Sequence, residues 1–306
     1  MINKIRNQLT LFFALSRTQH GILDVAMPAC CALLWLGTFP ALPTILLGLL
    51  TAFAGYTAIY ALNDLVGFSS DKSKMKHTQN HQGYSVESSD LRHPVAQGLL
   101  SVKSAVLWTF FWFIIALLGS YILNPVIILI LITGGLLEII YCLLVKVTFL
   151  RTLFSGLVKS CGPVAAVFAV SASPSWSFLA LLLCWVFFWE IGGQNIPADW
   201  TDIEEDRRAG GRTLPIQFGE KTASILIFTL LFTVVILSAV LLAYSHFDHV
   251  IAYVILMTLS GMYCLLIPAI QLYQNKKPQQ AAKLFDKASY YPLFCLCTTG
   301  LACLLS

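Results

Sequence analysis

Asp199, Asp202 and Asp206 stand three and four residues apart and lead directly into Gly210-Gly211-Arg212-Thr213-Leu214-Pro215. On a helix, offsets of i, i+3 and i+7 place all three carboxylates on one face. Such a cluster repels itself without cations, and hard oxygen donors with room for water suit Mg2+ bridging to phosphate oxygens. The chemistry this suggests is metal-assisted handling of a diphosphate. A solvated helix end pairing its acids with Arg207, Arg208 and Arg212 explains Glu204 and Glu205, which lie off the stripe. It does not explain why the spacing recurs elsewhere.

The recurrence is in the first half, where Asn63-Asp64 precedes Gly67 and Asp71. Asp64 maps onto Asp199 and Asp71 onto Asp206 with one offset, since 199 minus 64 and 206 minus 71 both give 135. Gly67 takes the slot of Asp202. Each acidic stretch is followed by an Arg-led segment, Arg92 to Gly98 and Arg212 to Gly219, that opens the next apolar run. An internally duplicated bundle whose halves deliver acids to one vestibule fits this pattern, as in transporters built from repeats.

The elements that position these acids are membrane helices. Of 306 residues 58% are hydrophobic and 11% charged, whereas soluble domains carry about 25% charged residues. Apolar stretches long enough to cross a bilayer fall near 21–39, 43–62, 104–123, 125–145, 152–172, 176–196, 223–244, 249–273 and 288–305. Pro28, Pro163 and Pro268 lie inside spans, which packed bundles tolerate. The expected fold is all-α, a polytopic bundle of about nine transmembrane helices duplicated around a central cavity. It forms a single domain over 1–306, with a cytoplasmic lid loop at 67–103 and a second motif loop at 196–222.

Connections near 40–43, 123–125, 172–176 and 245–249 contain no Lys or Arg, while the opposite set carries residues such as Lys72, Arg92, Lys146, Arg208, Lys221 and Lys277. The positive-inside rule makes that second side cytoplasmic, so both acidic stretches should face the cytoplasm at an inner (cytoplasmic) membrane. The net charge of +4 reports this topology and an affinity for membrane lipid headgroups. No basic run interleaved with aromatics argues for nucleic acid. Residues 1–16 read as an interfacial helix, not a cleaved leader. The nine cysteines fall mostly inside apolar spans and form no Cys-x-x-Cys pair, so they read as packing residues. His77 and His81 lack further ligands at matching spacing for a zinc site.

Taken together, the two acidic motifs, the Arg-containing segment at 92–98 and the Gly-x-x-Thr-Leu-Pro tail at 210–215 resemble the UbiA superfamily of intramembrane aromatic prenyltransferases. The resemblance implies a Mg2+ shell of Asn63, Asp64, Asp71, Asp199, Asp202 and Asp206, with the five aspartates as the catalytic set. It implies diphosphate contacts from Asn63, Arg17, Arg92, Lys146 and Arg212, with Lys159 a further candidate. The implied reaction moves a prenyl chain from an isoprenyl diphosphate donor to an aromatic or quinone-precursor acceptor. Aromatic rings at Tyr56, Tyr60, Tyr141, Trp189 and Trp200 are placed to hold an allylic cation by their faces, or to form an interface belt. Asp24, Glu138, Lys159 and Glu190 fall within apolar spans and should face the interior, as an acceptor pocket or a Lys–carboxylate pair. Gly67 departs from the family pattern, which has Asp there; Glu87 or Asp90 of the lid is a candidate substitute. That departure keeps two alternatives open, a membrane terpene cyclase and a non-catalytic isoprenoid-diphosphate binder or transporter.

Overall fold

A computed structural model describes residues 2–75, 91–245, 247–248 and 250–305. His77, His81, Glu87 and Asp90 lie outside the described residues. Fourteen helices run in order: α1 (Ile2–Leu15), α2 (Thr18–Asp24), α3 (Ala26–Leu36), α4 (Leu42–Met75), α5 (Val102–Leu123), α6 (Val126–Leu143), α7 (Arg151–Val170) and α8 (Trp176–Trp189) come first. Then follow α9 (Ile196–Thr201), α10 (Ile203–Ala209), α11 (Leu214–Tyr244), α12 (Val250–Gly261), α13 (Ile267–Asn275) and α14 (Pro278–Leu305). Two π-helical stretches, Glu190–Asn195 and Met262–Leu266, join α8 to α9 and α12 to α13. Among the described residues, nine helical segments are long and apolar enough to cross a membrane.

The spans differ from the sequence expectation mainly at the ends on the side of the acidic motifs. Helix α4 has 34 residues, roughly 50 Å at 1.5 Å per residue, against a hydrocarbon core of about 30 Å. It continues through Gly67 to Met75, so the first acidic motif and the start of the stretch expected as a loop are helical. Likewise α11 starts at Leu214 and the last span at Pro278, both earlier than the apolar runs alone suggest. The stretch expected as a loop at 196–222 is mostly α9, α10 and the first turns of α11.

Local chemistry fixes several ends. Gly37 closes α3 and Gly210 closes α10, each at positive φ, where a side chain is strained. Ser101 caps α5 by accepting from the Ser104 amide at 3.1 Å. The α5–α6 turn is tied by Asn124, which accepts from the Val126 amide at 3.0 Å and donates to the Phe168 carbonyl at 3.0 Å.

The spans close a ring in which α4 packs on α5 and α6, α6 on α7, α7 on α8, α8 on α11, α11 on α12 and α12 on α14. Helix α14 meets α3 and α2, and α2 returns to α4. The dense core is one-sided. Its buried residues come from α3, α7–α9 and α11–α14, centred on Trp185, Trp189, Trp200 and Tyr291, with a small satellite at Leu15, Ala61, Val95, Leu100 and Ala105. Trp189 and Trp200, expected as cation-holding rings or as an interface belt, are fully buried in that core and outside the cavity lining. The looser side, between α2, α4, α6 and α7, holds the cavity.

Candidate active site

One cavity of about 560 Å³ runs from the acidic motifs past Lys159 to Phe39, Leu123 and Val170 at the opposite ends of the helices. Along α7 it extends from Arg151 to Val170, about 28 Å at 1.5 Å per residue, which matches the thickness of a bilayer core. Its far half is apolar, lined by residues such as Ile45, Ile127, Leu131 and Ala166.

At the mouth, the long α4 puts Asp64 and Asp71 on one face, seven residues apart. His93 reaches across from the 91–100 segment and its Nδ1 donates to Asp64 Oδ1 at 2.6 Å and Asp71 Oδ2 at 3.1 Å. Ligand atoms of these three residues all lie within 4.8 Å of one another. Burial opposes an imidazolium at His93, but the Asp71 charge and hydrogen bonds to Asp64 and Asp71 outweigh it and hold the ring above the ordinary histidine pKa. His93 and Arg17 both have positive φ, at 55° and 44°, and both line the cavity; strained backbone of this kind gathers at functional sites. No spacing rule drew attention to His93. Its neighbour Arg92 was legible, because it opens the segment matched to Arg212.

The second motif does not form the single continuous face its spacing predicts. Helix α9 ends at Thr201, Asp202 sits at φ −98°, ψ 8°, and α10 begins at Ile203. The Asp206 amide still donates to the Asp202 carbonyl at 2.8 Å, so the break bends the stripe without severing it. Asp199 and Asp202 line the cavity. Asp206 is 1% exposed, away from the lining and under the Gly210–Gly211 turn, whose Gly211 amide donates to the Asp206 carbonyl at 2.7 Å. A Cβ at Gly211 would meet the Asp206 backbone and side chain at 3.1 Å, which explains the paired glycines.

The two halves are cross-tied at this level. Arg92 Nη2 donates to Asp202 Oδ2 at 3.1 Å, and helix α10 packs on α4. Arg151, at the start of α7, is 6% exposed and bonded to Asp199, with its guanidinium 4.6 Å from the Tyr141 ring centre. An Arg at the first turn of a membrane helix reads equally well as an interface anchor, so its sequence signal was ambiguous. Asn63, expected on the metal and the diphosphate, donates from Nδ2 to Glu138 Oε1 at 2.5 Å and accepts from Arg17 Nη2 at 3.4 Å.

The remaining basic candidates separate. Lys146 and Arg212 are exposed and do not line the cavity; the Arg212 amide donates to the Val145 carbonyl at 2.9 Å, tying the tail to the α6–α7 turn. Lys159 lies deeper, with Nζ 2.6 Å from Asp24 Oδ2 and 3.0 Å from the Tyr60 hydroxyl. Of the two readings of the buried ionisables, the structure contains the Lys–carboxylate pair.

Among the described residues, a ring of nine helical spans with acids from both halves at the mouth of one largely apolar cavity defines a polytopic membrane protein with a charged entrance above a long tunnel. The UbiA prenyltransferase family model matches residues 25–296, and the chain belongs to that family: it is a membrane prenyltransferase. Digeranylgeranylglyceryl phosphate synthase of Methanococcoides burtonii is 27% identical over 208 residues, 65% of this chain and 70% of that protein. A UbiA homolog from Aeropyrum pernix K1 superposes with a TM-score of 0.73 at 16% identity, covering 91% of this chain and 96% of the other. A UbiA homolog from Archaeoglobus fulgidus bound to DMAPP and Mg2+ gives 0.66 at 16% identity, covering 95% and 99%.

Proposed function

We propose that the chain transfers a prenyl group, in a Mg2+-dependent reaction, from an isoprenyl diphosphate to an acceptor held in the cavity, working from the cytoplasmic face of an inner membrane. The observation that carries this reading is the meeting of both acid motifs over the mouth of one apolar tunnel. It gives the diphosphate and the tail adjoining sites. The relative bound to DMAPP and Mg2+ supports the same donor class and ion.

The residues present fit a hard divalent cation. Asp64, Asp71, Asp199 and Asp202 offer carboxylate oxygens, and Asp64 Oδ2 is buried with no hydrogen-bond partner among the described residues, an oxygen that a cation would satisfy. Asp64 and Asp71 would hold one ion and Asp199 and Asp202 another. When bound, Mg2+ neutralises charge developing on the departing diphosphate. The chain's own residues do the rest. Arg92 and Arg151 place fixed positive charge at the mouth, and the apolar walls keep water from the allylic cation. The Tyr56, Tyr60 and Tyr141 rings line the space beneath, where their faces stabilise positive charge.

An aromatic acceptor fits these ring-lined walls. A glyceryl hydroxyl as acceptor is the second reading, favoured by likeness to the Methanococcoides synthase. Diphosphate release and product mass, measured on reconstituted protein with each acceptor class, test both. Release with a cyclised product and no acceptor requirement would establish a cyclase, and donor binding without release would establish a binder.

A further inference from the structure

Beneath the mouth, four elements converge on one ammonium. Lys159 of α7 stands eight residues past Arg151, about 12 Å deeper. Its Nζ is bonded to Asp24 of α2 and to Tyr60 of α4, the latter one turn from Asp64. Rings of Tyr56, Tyr60 and Trp189 lie with their centres 5.9, 5.6 and 5.7 Å from it. Asp24 also takes the Tyr60 hydroxyl and faces His20 at 3.5 Å. This pair is closed: donors and acceptors satisfy one another.

Glu190, from the π-helical stretch, is not closed in the same way. It is 7% exposed, and its Oε1 accepts from Ser155 Oγ at 2.6 Å. Its Oε2 has no hydrogen-bond partner among the described residues and faces Lys159 at 3.7 Å, beyond hydrogen-bond range. The Tyr56 hydroxyl, on a ring centred 5.9 Å from the same ammonium, is also buried with no hydrogen-bond partner among the described residues. Both residues line the cavity. Ionisable groups at this depth are costly, and an apolar replacement of equal volume is often the more stable choice. Stability therefore does not account for two polar atoms left unmatched in a lipid-embedded tunnel.

The chemistry of the unmatched atoms specifies what satisfies them. Glu190 Oε2 needs a donor, and the Tyr56 hydroxyl can give or take; a hydroxyl meets both. Charge narrows the class further. Glu138 and Glu190 line this level of the cavity with His20, Lys159 and Arg17; Lys159 is bonded to Asp24, which His20 also faces, and Arg17 to Asn63, so the unmatched group an entering ligand meets is the Glu190 carboxylate. A phosphate or carboxylate there would set an acceptor-only anion against it. The geometry points to an acceptor subsite at Glu190 and Tyr56 that selects an uncharged hydroxyl-bearing molecule over an anionic one. This rests on the prenyltransferase reading of the cavity and names the substrate class for it.

The test uses purified full-length protein in lipid nanodiscs and two matched probe pairs: 4-hydroxybenzyl alcohol with 4-hydroxybenzoate, and a 1-O-alkylglycerol with its phosphate. Dissociation constants are measured calorimetrically with Mg2+ and an isoprenyl thiodiphosphate present. The neutral member of at least one pair should bind about tenfold or more tighter than its anionic mate, as a lost charge-assisted hydrogen bond predicts. Glu190→Gln should shrink that ratio by about tenfold, and Tyr56→Phe, a milder change, should weaken the neutral probe alone. Equal or tighter anion binding in both pairs overturns the proposal. So does a ratio that neither variant moves, or the absence of binding by all four probes to protein that binds the thiodiphosphate. Failure to bind the thiodiphosphate at any Mg2+ concentration counts instead against the donor-site reading.

Discussion

Gly67→Asp is the most informative single change, because it returns a carboxylate to the slot that the internal repeat matches with Asp202. Position 67 lines the cavity mouth, one turn from both Asp64 and Asp71. A Cβ built there lies 2.9 Å from Asp71 Oδ2, too close as it stands, but that oxygen ends a flexible side chain and can rotate away. Electrostatics then acts in two opposed ways. Two carboxylates about 4 Å apart repel by roughly 4 kcal/mol at an effective dielectric of 20, and a carboxylate attracts a dication at that range by about twice as much. The repulsion is present with or without metal and so lowers metal-free stability; the attraction appears only on binding. If dehydration and side-chain relaxation remove three quarters of the gain, about 2 kcal/mol survives, more than tenfold in metal affinity. A Mg2+ titration of diphosphate release, with the donor fixed, should show the midpoint falling at least about tenfold in the variant. Melting in EDTA should drop and recover with Mg2+. An unchanged or higher midpoint would refute the reasoning and mean that His93, which bridges Asp64 and Asp71, has reshaped this half of the mouth for a different job.

Arg151→Leu breaks the buried ion pair with Asp199 and should cost about 3–5 kcal/mol, read by denaturation in micelles; adding Asp199→Leu should recover part of that loss. Asp202→Asn should abolish metal-dependent diphosphate release, whereas Glu204→Gln, in a largely exposed pair with Arg207 at 3.3 Å, should leave it intact and change stability by under about 1 kcal/mol. His93 has its folded pKa raised, so in metal-free protein its stabilisation is full below the unfolded value of about 6.5 and is lost as pH rises through the folded one. His93→Gln should flatten that slope in melts followed against pH with EDTA present. Single cysteines at Ser173 and Asp248 should label from outside and one at Gln279 from inside in intact cells; reversal would overturn the orientation.

Nine spans and both acid motifs were legible because lipid leaves few solutions: long apolar runs must be helices, and acids at their ends stand out. The Arg-led segment that follows each acidic stretch further pointed to Arg92, which the structure does bring onto Asp202. Arg151 and His93 were missed since their partners, Asp199 and the Asp64–Asp71 pair, are 48 residues or more away for the first and 29 and 22 for the second, with no periodic signal to link them. Lys146 and Arg212 fall outside the cavity lining: a basic residue at a helix end serves topology as readily as catalysis, and sequence alone does not separate the two. The continuous Asp199–Asp206 face failed for a backbone reason, the turn at Asp202, which no residue type in the stretch announces.

The π-helical stretch at 190–195 has a consequence for rotational phase. Glu190 and Asp199 are nine residues apart, and on an unbroken α-helix they would point about 180° from each other. Both nevertheless look into one tunnel. A wide turn absorbs roughly one residue, leaving the pair eight effective steps, or about 80°, apart. The helix thus carries one surplus residue as a vernier that turns its deep carboxylate and the one at the mouth toward the same side. Shortening the chain by a residue inside this turn would keep the alignment, while the same deletion between 196 and 199 would swing Asp199 by about 100° relative to Glu190. Length changes in this span are therefore filtered by where they fall as much as by how many residues they remove.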